Sequence, residues 1–304
     1  MDEDLRAFTV SLHGEDVRYV RAGSGPVVVL IHGILGSRLS WAHLVSLLEQ
    51  DFTVIAPDLF SDGDSARSGR DYTLGAHAGR LRDLLDALGI ERVTLVGHSL
   101  GGGVAMQFAW LFPQRCERLV LISSGGLGRD LGLILRAPTL PGAGWVLPLI
   151  STPWLRRSGE RLANQLGRLG WRSGADLEEL WRGYVSLGDA DVRRAFLATI
   201  RTVADPGGQT ISALERLPAL AHIPTLLVWG ANDRLIPVAH GVAAHQAIPG
   251  SRLEVFERAG HAPHLKDPLR FAALLRQFVD STPAPSSRPG RRRPRAVRGP
   301  GSVR

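Results

Sequence analysis

Apolar residues gather into six short runs: Val27–Ile31, Phe52–Ala56, Val93–Val96, Leu119–Ser123, Thr225–Trp229 and Leu253–Phe256. Each is too short for a helix and too continuous for a strand with one wet face. Such runs predict strands buried on both faces, as in a parallel sheet covered by helices on each side. Between most of them apolar residues recur three or four positions apart, which predicts helices over Ser40–Glu49, Thr73–Leu88, Leu100–Phe112 and Leu269–Asp280. In the second of these, Leu74, Leu81, Leu84, Leu85 and Leu88 can share one face. Asp16–Arg21 predicts an edge strand ahead of the first run. Alternating strands and helices give an α/β fold with a doubly wound, mostly parallel sheet.

The rhythm breaks between Gly125 and Ile223, where about a hundred residues stand in place of a crossover that needs only a dozen or so. Four of the seven tryptophans fall there (Trp145, Trp154, Trp171 and Trp181), with helical patterns at Asp176–Leu187 and Asp191–Val203. We expect residues 125–223 to form a helical cap over a core made of residues 1–124 and 224–280. Ligands of open α/β sheets bind at the strands' C-terminal edge, so the cap would cover the site. The tryptophans and the segments Leu131–Leu135 and Val146–Ile150 predict a mostly apolar pocket, with the acids Asp176, Glu178 and Glu179 turned to solvent.

Charge changes the picture only at one end. The net charge is +7, and the seven arginines between Ser281 and Arg304, a stretch without an acid, account for all of it. Residues 1–280 are therefore neutral, which argues against a nucleic-acid partner for the globular part. The stretch 281–304 is rich in Pro, Ser and Gly and is expected to be a disordered basic tail. Met1–Leu12 carries three acids and no long apolar run, so neither a signal peptide nor a transmembrane segment is expected, and a cytoplasmic location follows. The single cysteine, Cys116, stands in the polar stretch Gln114–Arg118, away from any candidate base, and no catalytic role is expected of it.

The strongest chemical signal is Gly97-His98-Ser99-Leu100-Gly101, placed between a buried strand and a helix. A sharp strand-to-helix turn lifts a serine Oγ clear of the sheet, the flanking glycines permit the close approach that the turn demands, and the helix start aims free N–H groups at a developing anion. Such a serine needs a base. Of ten histidines, His261 lies in the loop after the last strand, at the same sheet edge as Ser99, with His264 as a rival three residues on. Asp233, just past the strand Thr225–Trp229, is the expected orienting acid, and the order Ser, Asp, His is the one this type of sheet uses. A second glycine-bearing turn, His32-Gly33-Ile34-Leu35-Gly36, offers the Ile34 N–H beside that of Leu100 as oxyanion donors, with His32 expected to hold the loop. No metal-ligand spacing and no phosphate-cradling glycine loop is present.

His32-Gly33, Gly97-His98-Ser99-Leu100-Gly101-Gly102, Trp229-Gly-Ala-Asn-Asp233 and Gly260-His261 stand in the order and spacing of the α/β-hydrolase superfamily, which the chain resembles over about residues 8–280. The resemblance implies an eight-stranded, mostly parallel sheet, a mobile cap and no cofactor. The subgroup it most resembles is the capped bacterial hydrolases: esterases, lipases and carbon–carbon bond hydrolases of aromatic-ring breakdown. It departs at Asp58-Leu-Phe-Ser61-Asp62-Gly63-Asp64-Ser65, where the family often has Asp-x-x-Gly-His-Gly-x-Ser. Ser99 stands where epoxide hydrolases and haloalkane dehalogenases carry Asp, and His98 where ring-cleavage hydrolases commonly carry Asn. The expectation is a serine hydrolase of carboxylic esters with a small-molecule substrate. Carbon–carbon hydrolysis and perhydrolysis on the same residues, or a ligand receptor on this scaffold, are the alternatives.

Overall fold

The structure, a computed structural model, describes residues 7–58, 71–168 and 174–282. The altered stretch beyond Asp58, Trp171 and the tail from residue 283 lie outside the described residues. In chain order the strands are β1 (Ala7–Leu12), β2 (Glu15–Ala22), β3 (Val27–Ile31), β4 (Thr53–Pro57), β5 (Val93–His98), β6 (Cys116–Ile122), the short pair β7 (Ala204–Asp205) and β8 (Gly208–Gln209), β9 (Thr225–Gly230) and β10 (Arg252–Phe256). Eight of them form one sheet in the order β1-β2-β4-β3-β5-β6-β9-β10. β1 and β2 pair antiparallel, as do β2 and β4, and every other pairing is parallel. The expected eight-stranded, mostly parallel sheet is the one observed.

One expectation fails at the sheet margin. Asp16–Arg21 lies in β2, which is the second strand; β1 forms the edge. β1 lacks an apolar run because most of it is exposed, so its signal is the turn instead. His13 and Gly14 both have positive φ (55° and 81°) and connect Leu12 to its partner Glu15, the two-residue hairpin that fits strand twist.

The parallel strands alternate between two cores. Val29 and Ile31 of β3 pack on one side with Leu81, Leu85 and Phe108; Val28 and Leu30 pack on the other with Trp41, Leu48 and Phe271. The first layer is built by α2 (Leu74–Ala87) and α3 (Leu100–Leu111), the second by α1 (Ala42–Leu48) and the last helix, α11 (Pro268–Ser281). Their ends carry caps: Thr73 Oγ1 accepts the Ala76 N–H at 3.3 Å, and Asp267 Oδ1 accepts that of Arg270 at 3.0 Å.

Between β6 and β9 lie α4 (Leu133–Arg136), α5 (Ala143–Ile150), α6 (Pro153–Arg168), α7 (Ala175–Ser186) and α8 (Ala190–Val203). The two helices expected here, Asp176–Leu187 and Asp191–Val203, are α7 and α8, and Asp189 caps the second by accepting from Asp191 and Val192. Leu217 and Leu220, at the end of this interval, return to the core beneath α3. α9 (Val238–Ala247) and the short α10 (Pro263–Lys266) complete the fold. Because β3, β5, β6 and β9 are parallel, the turns after them open on one edge, which gathers His32–Gly36, Ser99, Ser123 and Asp233.

Candidate active site

Ser99 sits between β5 and α3 with φ 54° and ψ −118°, a conformation that a side chain seldom adopts and that surrounding contacts must impose. Its own N–H donates to the Ile122 carbonyl at 2.9 Å, and its carbonyl accepts from Gly102 at 3.0 Å and Gly125 at 2.9 Å. The flanking glycines are required sterically. A β-carbon on Gly97 would meet the Gly101 carbonyl oxygen at 2.4 Å, and one on Gly101 would meet that of Ile31 at 2.3 Å. Leu100 is the first residue of α3, so its N–H has no helical acceptor. In the facing turn the Gly36 N–H donates to Gly33 at 3.0 Å and Leu35 has φ 60°, a second strained residue beside the serine.

His261 follows β10, and its Nδ1 lies 2.9 Å from Asp233 Oδ2. The other Asp233 oxygen accepts the N–H groups of Leu235 and Ile236 at 2.8 and 2.9 Å, so both oxygens of the buried carboxylate are hydrogen-bonded. Burial alone would raise the Asp233 pKa. The hydrogen bond and charge of His261, with the two main-chain donors, outweigh it, and the pKa falls below the usual aspartate value. Asp233 is thus a carboxylate at neutral pH and accepts the His261 Nδ1–H, which leaves Nε2 as the nitrogen without a proton.

His98 is buried, and its Nε2 donates to the His261 carbonyl at 2.9 Å. Burial, and next the charge of His261, lowers its pKa to about 3. His264 lies within 4.8 Å of both Trp41 and His98, centroid to centroid, and burial pushes its pKa well below the usual value. It does not line the cavity over Ser99. His32, also buried, donates from Nδ1 to the Gly33 carbonyl at 2.8 Å. Asp58 accepts the Arg38 main-chain N–H at 2.6 Å and its guanidinium at 2.5 Å, tying the same turn to the end of β4. Cys116 is buried, which raises its pKa to about 12. Among the described residues no cluster of three or more potential metal ligands occurs.

Ser99 and His261 line one cavity of about 500 Å³, bounded by Ile34, Leu35, Leu180 and Leu235 and at its rim by Arg234 and Arg258. From Ser99 a narrow cleft of about 40 Å³ leads between Leu74, Leu131, Leu135, Ile200 and Ile236.

A family profile described as the alpha/beta hydrolase fold matches residues 26–268. The chain belongs to this family. Its relatives in it include an uncharacterized protein of Mycobacterium tuberculosis, 42% identical over 274 residues that cover 90% of this chain and 80% of that one. A 2-hydroxy-6-oxo-6-(2'-aminophenyl)hexa-2,4-dienoic acid hydrolase of Metapseudomonas resinovorans is 26% identical over 89% of both chains. Among solved structures, a meta-cleavage product hydrolase from Pseudomonas fluorescens shares the fold with a TM-score of 0.69, at 22% identity, over 90% of this chain and 97% of that one.

In this hydrolase fold two sequence expectations about the cavity need correction. Asp176 and Glu179 do not turn to solvent: both line the cavity. Asp176 Oδ1 accepts the Ala262 N–H at 2.8 Å, and Glu179 Oε1 accepts the Ser40 hydroxyl at 2.9 Å. The first turn of α7 descends onto the His261 loop, which offers a main-chain donor that the helix pattern cannot reveal; Glu178 alone is exposed. The tryptophans also lie elsewhere. Trp145 and Trp154 are 84% and 71% exposed, and Trp181 packs on Tyr184. Among the described residues the apolar lining is mostly Leu and Ile, with Val203 and three alanines, and no tryptophan contributes.

Proposed function

We propose that the protein is a carboxylic ester hydrolase with Ser99, His261 and Asp233 as its catalytic triad, beneath a cap formed by residues 125–223. The observation that carries this reading is the 2.9 Å contact between His261 Nδ1 and the buried Asp233 carboxylate, in a cavity that Ser99 shares. Ser99 Oγ attacks the ester carbonyl while His261 Nε2 takes its proton, and Asp233 stabilises the imidazolium. The oxyanion is held by the N–H groups of Leu100, at the start of α3, and of Ile34, in the facing turn. His261 returns the proton to the leaving alcohol, and water then releases the acyl group by the same path in reverse. The narrow apolar cleft suits the acyl chain, and the wider cavity with its arginines at the rim suits the alcohol side. The chemistry requires no cofactor.

Carbon–carbon hydrolysis of a diketone on the same residues is the second reading, favoured by the relative from M. resinovorans. His98 before the serine favours the ester. The deciding experiment is labelling by a fluorophosphonate together with hydrolysis of p-nitrophenyl esters and of a ring-cleavage diketone. The wild-type protein should label and turn over esters, and Ser99→Ala and His261→Ala should each lose about 10³-fold or more with unchanged circular dichroism. Near-full ester hydrolysis by Ser99→Ala, or an unlabelled wild-type protein, would overturn the reading.

A further inference from the structure

The face that α5 turns outward is apolar. Leu147 and Ser151 point inward and are buried, and a β-carbon on Gly144 would meet Leu197 of α8. On the opposite side Trp145, Val146, Leu149 and Ile150 form two i, i+4 pairs, all exposed. Leu133 and Ile134 of α4 and Trp154 at the start of α6 extend the exposed apolar surface. A soluble helix ordinarily shows the reverse pattern, and a contiguous patch of this kind marks an interaction surface.

The charges beside it say what kind. From Leu131 to Arg168, Glu160 is the single acid, against five arginines. Along α6, Arg157, Arg161 and Arg168 are exposed on the side that carries Trp154, a basic stripe running away from the patch over about 16 Å. We propose that α5, with the starts of α4 and α6, docks on an anionic membrane surface: Trp145, Leu149 and Trp154 enter the headgroup boundary and the arginine stripe meets lipid phosphates. No described helix is long and apolar enough to cross a membrane, so α5, eight residues and about 12 Å long, lies in the interface. A two-fold dimer through this face would bring two arginine stripes together, which disfavours a second copy as the occupant. α4 bears Leu133 and Ile134 outside and Leu135 on the Ser99 cavity, so the docked surface adjoins the cavity wall. Docking does not depend on the chemistry at Ser99.

The test is co-sedimentation of the full-length protein with vesicles of phosphatidylcholine alone or mixed equally with phosphatidylglycerol. We expect binding to the mixed vesicles, weaker binding to the neutral ones, and release by high salt. Trp145→Ser/Leu149→Ser and Arg157→Glu/Arg161→Glu, each with unchanged circular dichroism, should lower the partition by about tenfold or more while hydrolysis of a soluble ester persists. Absence of vesicle binding by the wild-type protein overturns the proposal. So does equal binding by both variants, which would assign adsorption to the basic tail. A dimer in analytical ultracentrifugation that Trp145→Ser/Leu149→Ser converts to monomer, without vesicle binding, would assign the face to a second copy.

Discussion

Acid should destabilise this protein in a window set by its buried histidines, of which His98 is the clearest. Its pKa is lowered to about 3, first by burial and then by the charge of His261, against about 6.5 in an unfolded chain. Between these values the unfolded chain binds a proton that the folded one does not. The stability that neutral His98 contributes is therefore complete above pH 6.5 and is lost as the pH falls toward 3. At pH 5 the loss is RT times the logarithm of about 30, or about 2 kcal/mol. That figure barely changes for any folded pKa below about 4, because the unfolded pKa and the working pH set it. His98→Asn removes the titrating ring. The variant will start less stable at pH 7, having lost packing and the bond to the His261 carbonyl, but its further loss on going to pH 5 should be smaller than the wild type's by about 2 kcal/mol. Urea unfolding followed by circular dichroism at both pH values measures this difference of differences. Equal pH dependence in the two proteins, within about 0.5 kcal/mol, would refute the reasoning. His264, also held well below its usual pKa by burial, contributes with the same sign.

Gly97→Ala should cost about 3 kcal/mol, read as a fall in thermal midpoint with loss of ester hydrolysis, because the new β-carbon would meet main-chain atoms of Gly101 and Gly102 at 2.4 and 2.7 Å. Lengthening the acyl chain from acetyl to butanoyl should raise kcat/KM about tenfold, at roughly 0.8 kcal/mol per methylene, and the gain should end once the narrow cleft beside Ser99 is full; a flat or falling profile would show that the cleft does not take the acyl chain. Asp176→Ala should lower kcat about tenfold by freeing the Ala262 N–H next to His261, roughly the cost of one buried hydrogen bond, whereas Asp176→Asn, which keeps a carbonyl acceptor, should recover most of the rate. Equal kcat in all three proteins would mean that the bond from α7 does not position the base.

What could be read from the sequence follows the range of the forces concerned. β3 to β6 and β9 were legible because burial on both faces leaves continuous apolar runs, and the Ser99 turn because steric demands fall on residues one or two positions away. β1 was illegible as a strand because water covers much of it, and only His13-Gly14 betrays the hairpin. Leu35 carries positive φ without being glycine, so local propensity argues against the turn that the fold imposes. Val146–Ile150 reads as an apolar segment, but apolar composition does not say what meets it, and Val146, Leu149 and Ile150 are exposed and line no part of the cavity. Asp176 was missed because its partner, the Ala262 N–H, lies 86 positions away.

The histidine loop explains why the inserted helices are more than a cover. Residues 260–262 belong to no strand, and the base we propose, which must meet Ser99 within hydrogen-bond reach, tolerates little drift. Three elements hold this loop: Asp233 after β9 bonds the imidazole, the His98 ring of β5 donates to the His261 carbonyl, and Asp176 of α7 accepts the next N–H. Two of the three come from the sheet and move together with Ser99. The third comes from the insertion, so a shift of α7 large enough to admit substrate also removes one restraint on His261. In the mechanism we propose, closure over the cavity would restore the base to its place as it excludes water, coupling substrate entry to chemistry through the 2.8 Å bond from Ala262 N–H to Asp176.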